Sequence, residues 1–99
     1  MTYFDKNAKV FKALSNKNRL KIIDILSNGE QCACDISKHF EFTQPTLSHH
    51  MKILANLDLV KIREDGIWNY YSLNIEKYAE ITKFLSNLFH GTETYIDKL

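Results

Sequence analysis

The sequence has little that would interrupt helices and no segment that would cross a membrane. Its 99 residues include one proline and three glycines, and so few helix-breaking residues favour a mainly helical chain. No apolar run approaches the ~18 residues that a membrane-spanning helix needs. The first ten residues, MTYFDKNAKV, lack the apolar core of a signal peptide. We therefore expect one cytoplasmic domain with no membrane partner.

Neither sign of charge dominates the composition. Lys and Arg number 13 against 12 Asp and Glu, which gives a net charge of +1 at pH 7. A protein that held nucleic acid by bulk charge alone would be far more basic. Any binding of nucleic acid must therefore depend on where individual cations lie.

Cysteine is also scarce, since the chain has two, Cys32 and Cys34, separated by one residue. In a cytoplasmic protein we expect both to be reduced thiols and not a structural disulfide. Cysteine catalysis needs a positioned base or a resolving partner, and the usual redox motif is Cys-x-x-Cys on an α/β fold. The sequence shows neither feature, which argues against a thiol enzyme.

Helical spacing of apolar residues is clearest at the two ends of the chain. It predicts a first helix over about residues 3–14 and a last helix over about residues 75–89. A second helix, with Leu20, Ile23 and Leu26 as its buried stripe, follows an N-cap at Ser15 or Asn16 and ends near Gly29.

The middle of the chain predicts a short helix, a tight turn and a longer helix. CDISKHF is the short helix, and Thr43 caps the longer one, with Pro45 in its first turn. The alternating segment LVKIREDGIWNYYSLN, with DG at its centre, predicts a β-hairpin at about 59–73. This order predicts a winged helix-turn-helix fold: a mainly α domain, 1–99, with about five helices, one hairpin and the helix-turn-helix at about 33–57.

The longer helix carries the candidate DNA contacts. In this motif the second helix enters the major groove with its N-terminal residues at base edges. Gln pairs with adenine, Ser and Thr serve several bases, and Lys suits a phosphate. Two cations on one face of the hairpin suit the DNA backbone or the minor groove. The candidates are Gln44, Thr46, Ser48, His49, Lys52, Lys61 and Arg63. A solvated polar face, or a winged helix that binds protein, is the competing interpretation.

Four segments together resemble the ArsR family of small bacterial repressors, and more narrowly the arsenical-resistance operon repressors. They are FKALSNKNRLKIIDIL, GEQCACDIS, FTQPTLSHHMKIL and LVKIREDGIWNYYSLN, and the resemblance runs from about residue 8 to about residue 88. It implies a repressor that dimerises through its terminal helices, binds palindromic double-stranded operator DNA without a cofactor, and leaves it when an inducer binds. It also implies that Gln44, Thr46, Ser48 and His49 contact DNA and that Cys32 and Cys34 bind trivalent arsenic.

The cysteine pair suits a thiophilic inducer. Soft thiolates bind arsenic and antimony and also select cadmium, lead and zinc. Arsenite or antimonite is the expected inducer, and another thiophilic metal or the thiol redox state is the alternative. Some relatives carry a third cysteine where this sequence has Ser37. Burial of each cysteine as a small hydrophobic residue is the competing interpretation.

The one-residue spacing has a mechanical consequence. On a helix, residues i and i+2 point about 200° apart, so one ion can contact both sulfurs only if residues 32–34 are not regular helix. If the short helix began at residue 31 or 32, chelation would unwind its first turn and displace the DNA-reading helix.

The histidines indicate a functional site less clearly than the cysteines do. His50 lies beside the buried face of the longer helix, so a structural role is expected for it. His90 and Glu93 match half of a zinc site that some family members build between C-terminal helices. The other half, an Asp-x-His upstream, is missing, so no interhelical zinc site is expected.

Overall fold

A computed structural model describes residues 2–90, which form five helices and three strands. In chain order these are α1 (Tyr3–Leu14), α2 (Lys17–Leu26), β1 (Gln31–Cys32), α3 (Ala33–Ser37), α4 (Gln44–Asn56), β2 (Val60–Asp65), β3 (Trp68–Leu73) and α5 (Ile75–Phe89). The predicted winged helix-turn-helix fold is confirmed. None of the helices in this part of the chain is both long enough and apolar enough to cross a bilayer.

Local caps set where the first two helices begin. In α1 the Thr2 hydroxyl accepts from the Asp5 N–H at 3.0 Å and the Asp5 carboxylate accepts from the Thr2 N–H at 3.3 Å, which is a capping box. The Asn16 side chain caps α2. Helix α2 ends at a C-cap on Ser27, two residues earlier than predicted. Gly29, with a φ of +123°, turns the chain toward β1.

One core unites the elements. Leu47, Met51 and Leu54 of α4 are buried as predicted, in one cluster with Ile36 of α3. The predicted stripe of α2 was wrong in part, because Leu20 is 51% exposed. The buried residues of α2 are instead Ile22, Ile25 and Leu26, which follow the same helical period from a different starting point.

The strand β1 is absent from the sequence prediction and joins the hairpin as a third strand. The sheet order is β1-β3-β2 with antiparallel pairing throughout. Gln31 pairs with Tyr71 and Cys32 pairs with Tyr70. The first cysteine is therefore part of the same sheet as the wing.

Candidate DNA interface and thiol site

The helix-turn-helix consists of α3, a six-residue connection and α4. Helix α3 is shorter than the predicted CDISKHF segment, since it ends at Ser37 and Phe40 instead stacks on Phe42 with ring centroids 4.5 Å apart. Thr43 takes the N-cap position in extended conformation, although its side chain makes no capping hydrogen bond. Its Oγ1 lies 3.2 Å from Oγ1 of Thr46. Pro45 lies in the first turn as predicted.

The DNA-reading candidates of α4 lie on its outer side. Gln44, Ser48, His49 and Lys52 are exposed and Thr46 is half-buried. Three residues that lie between them in the sequence, Leu47, His50 and Met51, are buried. The helix therefore presents a continuous polar face with side chains of the types that pair with bases and phosphates.

His50 anchors α4 from its inner side. It is 7% exposed, and its Nδ1 lies 3.1 Å from NH1 of Arg19. Because a guanidinium can only donate, Nδ1 is the acceptor and the neutral ring carries its proton on Nε2. The Nε of Arg19 also donates to the Ala13 carbonyl at 2.6 Å. His50 thus ties the recognition helix to the junction of α1 and α2, as the structural interpretation predicted.

We expect acid to destabilise the fold through His50. Burial, and then the charges of Arg19 and His49, lower the pKa of His50 below its ordinary 6.5. As the pH falls below about 6.5, His50 therefore becomes protonated in the unfolded chain but stays neutral in the folded chain. Stability from this residue is complete above pH 6.5 and falls below it until the folded pKa is reached, by at most about 1.4 kcal/mol per pH unit.

The melting temperature, measured from about pH 7.5 down to about pH 5, tests this loss of stability. His50→Asn keeps an oxygen that can accept from Arg19 but has no proton to gain. Its melting temperature should fall less over this pH range than that of the parent. Equal falls in the two proteins would show that another group is responsible.

The two predicted cations of the wing differ in their surroundings. Lys61 is exposed on β2. Arg63 is also on the surface, but its Nε and NH2 donate to the two carboxylate oxygens of Glu30 at 3.1 and 2.7 Å. Its guanidinium lies 4.5 Å from the Tyr70 ring centroid, and its NH1 is 3.8 Å from Asp65. Sequence reasoning missed this cluster because Glu30 and Arg63 are 33 residues apart.

The hydrogen bonds between Glu30 and Arg63 shift the pKa of both side chains. The hydrogen bonds from Arg63, followed by its charge, hold the pKa of Glu30 below the usual value. The same contacts raise the pKa of Arg63. The pair stays ionised throughout the neutral range, so the contact does not depend on pH there.

The two cysteines meet at the junction of β1 and α3. Cys32 is extended, with φ −76° and ψ 159°, and caps α3, so its Sγ accepts from the Asp35 N–H at 3.2 Å. The Cα atoms of Cys32 and Cys34 are 5.3 Å apart and their sulfurs are joined as a disulfide. The expectation of two free thiols is therefore not met in this structure. The same local geometry would turn two reduced sulfurs toward one ion.

The start of α3 decides how an ion would reach both sulfurs. The helix begins at Ala33, one residue after Cys32. The sulfurs therefore converge while α3 is intact, and chelation does not require its first turn to unwind. The side-chain ligand atoms of Cys32, Cys34 and Asp35 all lie within 4.8 Å of one another. Cys32 is 8% exposed, and Asp35 lies at the surface beside Lys38, 3.3 Å away.

The predicted half-site for zinc is described only in part. His90 is the C-cap of α5, and its N–H donates to the Ser86 carbonyl. Glu93 lies outside the described residues.

The fold and the polar face of α4 define the class of this protein, a winged helix-turn-helix regulator. The family described as bacterial regulatory protein, arsR family, matches residues 16–61. The chain is 49% identical over 79 residues to the arsenical resistance operon repressor of Staphylococcus aureus, which covers 80% of this chain and 73% of that protein. The chain belongs to the ArsR family, as a transcriptional repressor and not an enzyme.

Two further relatives bear on its chemistry and assembly. The cadmium resistance transcriptional regulatory protein CadC homolog of Staphylococcus aureus is 44% identical over 77 residues, covering 77% of this chain and 64% of that protein. A solution structure of a homodimeric winged helix-turn-helix DNA-binding domain from Mycobacterium bovis, a possible ArsR-family regulator, is 30% identical. It has a TM-score of 0.70 and covers 86% of this chain and 79% of that one.

Proposed function

We propose that this protein is a cytoplasmic, metalloid-responsive repressor. It binds double-stranded operator DNA as a homodimer and leaves it when trivalent arsenic or antimony binds Cys32 and Cys34. The observation that carries the proposal is the convergence of the two sulfurs beside an intact α3. The similarity to an arsenical resistance operon repressor supports the choice of metalloid.

DNA reading is assigned to the outer face of α4 and to the wing. Near the start of the helix, the proposed contacts to base edges are Gln44, Thr46, Ser48 and His49. Lys52, one turn further along, is the proposed phosphate contact. On the wing, Lys61 and Arg63 serve the DNA backbone, with Arg63 held in place by Glu30.

Alanine substitutions should separate base contacts from phosphate contacts. Ser48→Ala and His49→Ala should each cost about 1–3 kcal/mol on operator DNA and little on scrambled DNA. Lys52→Ala should weaken both duplexes alike and reduce the salt slope by about one. Fluorescence anisotropy at several salt concentrations measures both quantities.

Lys12→Ala serves as the control for loss of one positive charge, because Lys12 is exposed on α1, outside the helix-turn-helix and the wing. It should leave the salt slope nearly unchanged. Operator binding as tight as the parent's in all three α4 variants would refute the assignment of this helix.

The proposed inducer site consists of two thiolates beside the carboxylate of Asp35. Arsenite, As(OH)3, reacts with two thiols to give a dithiolate that keeps one hydroxyl, with release of two waters. No third thiolate is then needed where relatives carry a cysteine at the position of Ser37. Asp35 has a carboxylate oxygen within 4.8 Å of both sulfurs, and in this proposal it accepts a hydrogen bond from the remaining hydroxyl.

Two alternatives use the same cysteines. Two thiolates and a carboxylate also suit cadmium, lead or zinc, and the cadmium-resistance relative favours the first of these. A thiol redox switch is favoured by the pairing of the sulfurs as a disulfide. In that case oxidation by a cellular disulfide or peroxide removes two electrons and two protons from the pair.

A titration separates these possibilities. Reduced protein bound to its own promoter DNA is titrated separately with arsenite, antimonite, cadmium and zinc, and a parallel sample is oxidised without metal. Release by arsenite or antimonite at the lowest concentration supports the proposal. Release by cadmium alone, or by oxidation alone, selects one of the alternatives.

A further inference from the structure

The thiol site and the wing are parts of one sheet. Cys32 ends β1 and pairs with Tyr70 of β3, and Tyr70 pairs with Arg63 of β2. These three residues therefore form one row across the sheet. A displacement of Cys32 would therefore reach the wing through backbone pairing, as well as α3 through its N-cap.

A second connection runs beside this row. Glu30 immediately precedes β1, and its carboxylate binds Arg63 through two hydrogen bonds. The Arg63 guanidinium rests on the Tyr70 ring, 4.5 Å from its centroid. A forked pair of this kind fixes direction as well as distance. The segment that holds the first thiol thus also holds a cation of the wing.

We propose that Glu30 is a positioning residue that couples the thiol pair to the wing, so that an inducer bound at Cys32 and Cys34 acts on DNA by moving Arg63 and the hairpin. This proposal rests on the function proposed above. An ion on the Cys32 sulfur competes with the hydrogen bond from the Asp35 N–H and shifts a residue that belongs to both β1 and the cap of α3. Because β1 is two residues long, little sheet pairing resists that shift.

The chain contains its own reporter of the hairpin. Trp68 is the single tryptophan of the sequence, opens β3 opposite Asp65 and is 51% exposed. Its emission reports on the wing in the absence of DNA. Thiolate absorption in the ultraviolet reports ion binding independently, so binding and wing movement are followed in one sample of reduced protein titrated with arsenite and, separately, with cadmium chloride.

Three variants test the coupling. Glu30→Gln removes the ion pair, and the double variant Glu30→Arg with Arg63→Glu restores it in reverse. Glu64→Gln is the matched control, since it removes the same charge from an exposed residue next to Arg63 on the hairpin. Both Glu30 and Arg63 are exposed, so these changes leave the core intact.

The parent should bind the ion and change its Trp68 emission. Glu30→Gln should bind with an affinity within about fivefold of the parent and lose about half or more of the emission change. The charge-reversed double variant should recover most of it, and Glu64→Gln should match the parent. A full emission change in Glu30→Gln, or no recovery in the double variant, would overturn the coupling.

The test also distinguishes this inference from the function on which it rests. If the parent binds neither arsenite nor cadmium through its thiols, both the sensor and the coupling are refuted. If the parent binds an ion while Trp68 emission stays constant, the coupling is refuted and the sensor stands.

Discussion

Cys32→Ser and Cys34→Ser are each expected to bind operator DNA as the parent does and to stay bound in arsenite. In the proposed function, repression requires the folded domain and the outer face of α4, and neither depends on sulfur. At position 32 the Sγ accepts the Asp35 N–H as a helix cap. Serine is among the best residues for that role, so the fold should be preserved.

Release should be lost because chelation needs both sulfurs. With one sulfur bound, the second acts at a high effective concentration, and its loss should weaken binding of the ion by about 100-fold or more. Anisotropy of labelled operator in increasing arsenite, with reductant present, measures release directly. A double cysteine variant that still releases DNA in arsenite would show that these thiols are not the sensor.

A substitution at position 37 tests whether a third thiolate strengthens arsenite binding. Ser37 is the last residue of α3, three residues after Cys34, and its hydroxyl donates to the Cys34 carbonyl at 2.8 Å. Ser37→Cys should tighten arsenite binding if a third thiolate displaces the remaining hydroxyl of the bound arsenite. Asp35→Asn should weaken binding if that hydroxyl is retained and hydrogen-bonded. The two variants thus report on different third ligands.

Features of the fold that depend on neighbouring residues were predictable from sequence. The start of α4 was predicted because Thr43 and Pro45 lie two residues apart and each favours one position at a helix start. The hairpin followed from alternation and from Gly66, which takes a φ of +61° in the turn. The bounds of α1 and α5 followed from long apolar periodicity.

Features that depend on distant pairing were not predictable. The strand β1 is two residues long, too short to show any alternation, and it exists because β3 lies beside it. The contact between Glu30 and Arg63 depends on that pairing in turn. In α2, Leu20 fits the helical period as well as Ile22 does, and the tertiary packing alone decides which of them is buried.

The first residue of α3, which determines the geometry of the thiol site, was also not predictable from the sequence. The spacing of Cys32 and Cys34 raised the question of where α3 begins, but one residue in a helix start is beyond what sequence patterns resolve. The observed start at Ala33 changes the expected mechanism from unwinding of α3 to displacement of β1.

Leu88→Asp combined with Phe89→Asp is expected to convert the proposed homodimer to a monomer. The terminal helices pack on each other through Phe84, whose ring centroid lies 5.0 Å from that of Tyr3 and 5.9 Å from that of Phe4. Part of the apolar surface of the two terminal helices is used in this way within one chain. Phe4, Leu88 and Phe89 nevertheless remain 37%, 37% and 78% exposed, which leaves an apolar surface for a second copy.

A two-fold interface would bring the new carboxylates of both copies together without water, which opposes association. The monomer should keep its helical content because the changed side chains lie outside the core. Operator affinity should fall by about 100-fold or more, since two recognition helices ~34 Å apart no longer bind as one unit. Sedimentation at micromolar concentration and anisotropy on the operator measure the two effects.

Leu20→Asp is the matched control, because Leu20 is a 51% exposed apolar residue on α2, outside both terminal helices. It should remain a dimer and bind operator as the parent does. A doubly substituted α5 that still sediments as a dimer would place the interface elsewhere. A monomeric variant with parental operator affinity would show that one recognition helix suffices, which conflicts with reading of a palindromic site by two copies.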